Sequence, residues 1–211
     1  LARVRVRQHV NPLSQKYQQE INFPHWEKVY QNLDLPLHLD LGCGRGRFLL
    51  EISQLQPKMN FLGIEIREPL VVEANTIAAE LGLRNLYYLF ANVNTSLDRL
   101  LSSLPQDSLH WVTIQFPDPW FKQRHKRRRV VQPEVVTTLA KYLTAGGKVL
   151  LQSDVEEVAR EMGDHFSAHP AFQKQHPQPW LETNPLPVAT EREKATFAKG
   201  EAVYRLLFAK I

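Results

Sequence analysis

A doubly wound α/β fold is predicted for this chain by three observations. Short apolar runs alternate with stretches whose apolar residues recur at every third or fourth position. The first apolar run opens directly into a glycine-rich turn, Gly42-Cys43-Gly44-Arg45-Gly46. The second ends on an acid, Glu65, and the crevice at the carboxyl ends of parallel strands brings such an acid to the turn. With 211 residues, 43% of them hydrophobic and 23% charged, the chain suits one such domain over residues 31–211, preceded by a basic, partly disordered extension over residues 1–30.

Residues 24–33 fit a short helix with Trp26 and Val29 on one side. Residues 37–41 form the first strand, after which Phe48, Leu49, Ile52 and Leu55 fall at helical spacing until Pro57. Residues 60–66 are the second strand. Pro69 opens a helix that carries Leu70, Val71, Ala74, Ile77, Ala78 and Leu81 and stops at Gly82. Residues 86–90 and 109–116 supply the third and fourth strands, with a short helix over 96–104 closed by Pro105 between them. A helix over 133–143 ends at Gly146-Gly147, a fifth strand occupies 148–152 and a further helix 155–165. Residues 170–187, rich in proline, glutamine and histidine, are the least regular stretch. Residues 201–209 return to a strand, at a sheet edge or antiparallel to its neighbours.

One cysteine excludes an intramolecular disulfide framework and cysteine-rich zinc modules. The eight histidines lack metal-ligand spacing, and no metal is expected. No run approaches the roughly 20 apolar residues of a membrane span. Leu1-Ala2-Arg3-Val4-Arg5 lacks the apolar core of a secretion signal, so a reducing, cytoplasmic setting is expected. The chain opens without an initiator methionine, which leaves its natural N-terminus open.

The net charge of +4 is unevenly placed. Residues 122–129 carry Lys122, Arg124, Lys126, Arg127, Arg128 and Arg129, with His125 and no acid: +6 in eight residues, leaving −2 for the rest. Arg3, Arg5, Arg7 and Lys16 form a second cluster ahead of the first acid, Glu20. So concentrated a run points to a polyanionic partner at one face; the plainer alternative is a solvated surface.

The glycines at 42, 44 and 46 permit a tight bend and close approach of a ligand to the backbone, and Glu65 can accept both hydroxyl hydrogens of a ribose. The dinucleotide fingerprint has two residues between its second and third glycines; here there is one. Asp40, just ahead of the glycines, would repel a pyrophosphate but can hold an amino group. An adenine nucleoside bearing an amino acid, S-adenosyl-L-methionine, therefore fits better than NAD. Cys43 lacks a base beside it and reads as a small side chain filling the turn.

Phe116-Pro117-Asp118-Pro119-Trp120 follows the fourth strand. Prolines on both sides stiffen the chain around Asp118, Trp120 and Phe121 offer stacking surface, and Lys122 begins the basic run. An acid held rigid at a strand end, then aromatics, then cations, reads as a site that holds a base and grips its backbone. The alternative is a proline turn whose aromatics cover the sheet.

On these motifs the chain resembles the bacterial tRNA (guanine-N7)-methyltransferases. The resemblance runs from Arg5-Val6-Arg7 to Leu207-Phe208. It rests on residues 40–48, Gly63-Ile64-Glu65-Ile66, the Phe116–Trp120 motif with Lys122, Arg124, His125, Arg127 and Arg128, then Ser153-Asp154 and Thr190 to Glu193. It implies methyl transfer from S-adenosyl-L-methionine to guanine N7 at position 46 of the tRNA variable loop. It also implies a Rossmann-like class I methyltransferase fold of seven strands with the last antiparallel. Carried over residue by residue, it places the methyl donor at Asp40, Glu65, Asn92 and Asp118, beside Gly42, Gly44 and Gly46, and the guanosine at Lys122, Asp154 and 190–193. Asp118 is the catalytic candidate. Most relatives carry an acid where this chain has Asn92. The partner is tRNA, with no part for DNA or a membrane, and the family occurs as monomers and as homodimers.

Guanine N7 has an in-plane lone pair and no proton at neutral pH, so no general base is needed before it attacks. Alignment and electrostatics must then supply the catalysis, with Asp118 beside the transferred group and Asp154 and Glu193 accepting from the guanine edge. Arg124, Arg127 and Arg128 are the expected phosphate contacts. Arg3, Arg5 and Arg7 add to them or close over the cofactor. Thr190 and Glu193 also match a helix capping box, and Asp154 suits a cap of the next helix. The competing readings are another S-adenosylmethionine-dependent RNA methyltransferase and a methyltransferase-like RNA-binding protein without turnover, for which Asn92 is the one argument.

Overall fold

The computed structural model describes residues 10–211; Arg3, Arg5 and Arg7 lie outside the described residues. Leu37–Leu41 (β1) lies between Asn60–Glu65 (β2) and Leu109–Gln115 (β4), parallel to both. Leu86–Phe90 (β3) extends the sheet beyond β2, and Lys148–Ser153 (β5) extends it beyond β4, again in parallel. The chain thus winds outward from β1 in one direction and returns to its other side for β4. The order reverses between β1 and β4, which is where open α/β sheets place their ligands.

Beyond β5 the sheet turns antiparallel. Tyr204–Lys210 (β7) pairs with β5, and Phe172–Lys174 (β6) pairs with β7, giving the order β3-β2-β1-β4-β5-β7-β6. The last strand is therefore antiparallel, and the edge position also considered for it is not realised, because β6 takes it. β6 lies in the stretch read as irregular. Its three residues are too few to display a strand's alternation, and Pro177 and Pro179 follow at once.

Trp26–Val29 (α1) lies ahead of β1, and Arg47–Leu55 (α2), Glu68–Glu80 (α3), Val93–Ser102 (α4), Pro133–Tyr142 (α5) and Glu156–Ser167 (α6) link the strands that follow. The helices α4, α5 and α6 cover one face, with Leu39, Val112, Leu139 and Phe166 in that core. The helices α2 and α3 cover the other, around Phe48, Ile52, Phe61 and Tyr88. Trp26 and Tyr30, from the stretch ahead of residue 31, are buried in the first core. Trp26 donates from Nε1 to Ser103 Oγ at 3.0 Å, and the Tyr30 hydroxyl donates to the Phe61 carbonyl at 3.0 Å. A seventh helix, Glu191–Ala198 (α7), follows Thr190. Among the described residues no helix is long and apolar enough to cross a membrane.

The turn after β1 depends on glycine. Gly46 has φ +71°, and a Cβ there would stand 2.4 Å from the ring of Tyr88, whose hydroxyl donates to the Gly46 carbonyl at 2.6 Å. Gly46→Ala is expected to cost roughly 3 kcal/mol through left-handed strain and overpacking. In a chain of this size that lowers the melting temperature by about 6–12 °C in thermal unfolding. An unchanged melting temperature would contradict the packing described.

Candidate active site

The carboxyl ends of β1 and β4 bring Asp40 and Asp118 to the same crevice. Asp40 is buried near the end of β1, opposite Thr113 in the register. Its Oδ1 accepts from Thr113 Oγ1 at 2.6 Å and from Gln115 Nε2 at 3.4 Å. Burial pushes the carboxyl up to about 6; the two hydrogen bonds oppose that rise and the nearby charge of Glu65 adds to it. Behind Thr113 stands His38, buried and hydrogen-bonded to the same hydroxyl at 3.1 Å; burial pushes its pKa down to about 3, so the ring is neutral.

Glu65 closes β2 and anchors the glycine turn. Its Oε2 accepts from the Gly44 amide at 2.9 Å, and its Oε1 from the Arg67 amide at 2.9 Å. The Arg67 guanidinium grips both oxygens, at 2.8 Å from Nε and 3.0 Å from Nη2. That bond first, then the charges of Glu65 and Asp118, raise the pKa of Arg67. Arg67 thus stands between the two carboxylates most directly placed for a ligand, and the sequence reading did not single it out. The available signal was its place two residues after Glu65, where a strand end directs both side chains to one side.

Asp118 sits on a strained loop. Phe116 (φ 51°) and Trp120 (φ 42°) both adopt the left-handed conformation. This is unfavourable for large side chains, and Phe116 adds to it by preceding a proline. Backbone strain of this kind, of order 1–3 kcal/mol per residue, gathers at functional sites. The loop lies between two adjoining cavities, both lined by Gly42, Arg67, Pro117 and Asp118. The smaller, about 130 Å³, also reaches Glu65 and Asn92. The larger, about 520 Å³, reaches Asp40, Asp154, Thr190 and Phe121.

The other expected site residues divide. Asn92 borders the smaller cavity, but both ends of its amide are engaged. Its Oδ1 caps α4 by accepting from the Asn94 amide at 3.2 Å, which starts that helix at Val93 rather than at 96. Its Nδ2 donates to the carbonyls of Pro12 (3.0 Å) and Tyr17 (3.1 Å), pinning residues 12–17 beside the cavity. A carboxylate could not donate to these carbonyls, so the amide has a structural reason. Asp154 does not cap α6, whose N-terminus has no side-chain cap; Ser153 Oγ accepts from the amide of the N-cap residue Val155, and Asp154 pairs with Arg192 at the cavity rim. Thr190 caps α7, its Oγ1 accepting from the Glu193 amide at 3.0 Å. The Glu193 carboxylate makes no reciprocal cap. It is buried and pairs with Arg205 at 2.5 Å. Gly46 is likewise turned away from the cavities, against Tyr88.

The basic run serves two purposes. Residues 123–128 form a 3₁₀ segment that aims its cations in opposite directions. Lys126 and Arg129 turn inward to Glu157 and Glu161 on α6, and Arg129 is buried, donating also to the Pro119 carbonyl at 2.8 Å. Lys122, Arg124 and Arg127 are exposed, and Arg128 lies over the Trp120 ring at 4.9 Å. The chain therefore spends two of the six cations on fixing the loop, leaves Lys122, Arg124 and Arg127 exposed on the surface, and sets Arg128 at the smaller cavity. Cys43 is half-buried in the turn, where burial first, then Asp40 and Glu65, push its thiol well above the usual range, against any role as a thiolate.

Comparison with known proteins agrees with this geometry. A family model described as "Putative methyltransferase" matches residues 34–206. The chain is 62% identical over 208 residues to the tRNA (guanine-N(7)-)-methyltransferase of Microcystis aeruginosa, covering 99% of each chain. It is 60% identical over 210 residues to that of Synechococcus elongatus, covering 100% of this chain and 98% of the other. Among solved structures, the 16S rRNA methyltransferase KamB superposes with a TM-score of 0.62 at 18% identity, over 91% of this chain and 95% of that one. The precorrin-6y C5,15-methyltransferase of Geobacter metallireducens does so with a TM-score of 0.55 at 13% identity, over 88% and 86%. At such identities these two speak for the fold, while the far closer curated relatives decide the family. This chain belongs to the tRNA (guanine-N(7)-)-methyltransferase family.

Proposed function

We propose that this chain transfers a methyl group from S-adenosyl-L-methionine to N7 of a guanine in tRNA, at position 46 of the variable loop, in the cytoplasm. The observation that carries the reading is the position of Asp118. It borders both cavities from a strained loop at the point where the strand order reverses, and the exposed cations of the basic run follow directly. The names of the curated relatives support the tRNA and the N7 atom.

The residues present suit such a donor. A Cβ at Gly42 would meet nothing within 4 Å, so the space over the turn is open to a ligand. Asp40 has both its protein donors on Oδ1, which leaves Oδ2 for an ammonium group. Glu65 offers two oxygens to a ribose once the Arg67 guanidinium moves off them. When bound, the donor supplies a methyl group made electrophilic by a sulfonium.

The protein's part is alignment and charge. Asp118 places a negative charge where the guanine gains a positive one, and N7 needs no base because it carries no proton. Asp154 can accept from the guanine edge after Arg192 releases it. Glu193 acts from below, through the first turn of α7, its carboxylate held by Arg205. Lys122, Arg124 and Arg127 meet phosphates, which gives grip but no base choice.

Methyl incorporation from labelled donor into two tRNA transcripts, with guanine or adenine at position 46, tests the reading. Label in the first and none in the second is expected; equal labelling would remove position 46 from it. Glu65→Ala removes the ribose acceptors and the anchor of the Gly44 amide together. It is expected to weaken binding of S-adenosylhomocysteine by about 10- to 100-fold, about 1.4–2.8 kcal/mol, in calorimetric titration. Equal affinity in the variant would place the ligand elsewhere.

A further inference from the structure

A row of polar side chains crosses the sheet beneath the larger cavity, on the face that carries α2. Aliphatic residues would fill these positions in an ordinary core. Asp40 is opposite Thr113, and Gln115, Gln152 and Arg205 follow opposite one another on β4, β5 and β7. Asp40, Thr113, Gln152 and Arg205 are all buried. Arg205 pairs with Glu193 at 2.5 Å and donates from Nε to Gln152 Oε1 at 3.0 Å. Gln152 Nε2 donates to Gln115 Oε1 at 2.8 Å and to Glu193 Oε2 at 3.2 Å. Gln115 Nε2 reaches Asp40 Oδ1 at 3.4 Å.

The direction of this chain is dictated by its ends. A guanidinium only donates and an ionised carboxylate only accepts, so each amide between them must turn its oxygen toward Arg205 and its nitrogen toward Asp40. Flipping either glutamine would set two donors or two acceptors face to face. A second chain, from His38 through Thr113, ends on the same Oδ1. The two together orient the Asp40 carboxylate and leave Oδ2 toward the cavity. At the other end Glu193 belongs to the first turn of α7, whose Thr190 and Arg192 line that cavity. Burying an ion pair and the Gln152 amide in this way is costly in stability compared with an apolar core, and what such groups can confer is a single arrangement.

We propose that Gln115 and Gln152 are positioning residues, carrying a one-way hydrogen-bond chain from the Arg205–Glu193 pair under α7 to Asp40, and so setting the guanine side and the donor side of the cleft in register. This rests on the function proposed above. Gln152 is buried away from both cavities, and Gln115 borders the larger one at its floor; each acts through the carboxylates at the ends of the chain.

The test uses the full chain with Gln115→Met, Gln115→Glu, Gln152→Met and the double methionine variant. Two quantities are read: single-turnover methyl transfer at saturating donor and tRNA, and the affinity for S-adenosylhomocysteine across pH. The acid limb of that affinity reports on Asp40. Its pKa lies at about 6, and binding of the ligand's ammonium group is lost as pH falls through that value and the carboxylate is protonated. The other titratable groups near Asp40 are Glu65 on β2, Cys43 in the turn, Tyr88 on β3 and His38 behind Thr113, and all are left in place.

Gln115→Met is expected to lower the single-turnover rate by about tenfold or more, keep affinity at pH 8 within about threefold, and move the acid limb to higher pH, because the charged form of Asp40 has lost a donor. Gln115→Glu keeps the bond from Gln152 and adds a like charge, so its limb moves further. The double variant should lose no more than about twice what the worse single variant loses, since a chain already broken cannot be broken again. Rate losses that multiply, a limb that stays put, or variants that all fail to fold would each overturn the proposal and leave the row a plain core element. Absence of tRNA methylation by the unaltered protein would instead overturn the function proposed, while the shift of the acid limb would still report on the chain.

Discussion

Asp118→Ala is expected to slow single-turnover methyl transfer by about 100- to 1,000-fold, about 2.7–4 kcal/mol of lost transition-state stabilisation, with S-adenosylhomocysteine affinity kept within a few fold. Asp118→Asn keeps the size and removes the charge. If the carboxylate acts by its charge, as proposed, the two variants lose similar amounts; if it acts by placing its partners, the asparagine variant retains far more. The melting temperature should hold in both, because the prolines and the buried Arg129, bonded to the Pro119 carbonyl, hold the loop without the Asp118 side chain. Near-normal single-turnover rates in both variants, alongside a lowered melting temperature, would assign Asp118 to the fold.

Replacing Lys122, Arg124 and Arg127 together by alanine is expected to weaken tRNA binding by more than tenfold at moderate salt. The slope of log affinity against log salt should fall by about 2–3, roughly one per phosphate contact. Donor affinity and thermal stability should not change, since all three side chains are exposed. The opposite pattern is expected for Arg129→Ala: a lower melting temperature, because Glu161 loses a partner at 2.6 Å and the loop loses its tie at Pro119. Equal effects of the two sets on tRNA affinity, measured by filter binding over a salt series, would mean that the run acts as one undivided patch.

What could be read from the sequence follows from the range of the forces involved. The five parallel strands and the glycine turn are local: each is an apolar run bounded by turn residues, and their alternation with amphipathic helices dictates the order. Asp40, Glu65 and Asp118 were legible because they stand at strand ends, and topology alone gathers strand ends into one crevice. Elements with weak local patterns were missed or marked only by their caps, as Thr190 marked the start of α7. Glu191–Ala198 is largely charged, and it buries Glu193 and Thr196 rather than aliphatic residues, so no apolar stripe marks it as a helix. Phe172–Lys174 is held in the sheet by its partner strand more than by its own three residues.

Pairings across the chain were the hardest to foresee. Lys126 and Arg129 look like their neighbours until α6 places Glu157 and Glu161 against them. The one available hint was that these acids are four apart and share a helix face. Glu193 was assigned to the guanine edge by its motif, yet its carboxylate is spent on Arg205, Gln152 and Asn184. The glutamines of β4 and β5 had a signal that went unused: polar side chains at the ends of otherwise apolar strands, where burial demands partners.

The central claim, transfer to guanine N7 in tRNA, is tested most directly by the identity of the modified nucleoside. Unmodified tRNA is incubated with the protein and S-adenosylmethionine carrying a labelled methyl group, digested to nucleosides, and separated by chromatography with mass detection. The account predicts that the label appears as 7-methylguanosine. Label in any other nucleoside, or none in the presence of bound donor and tRNA, would contradict it.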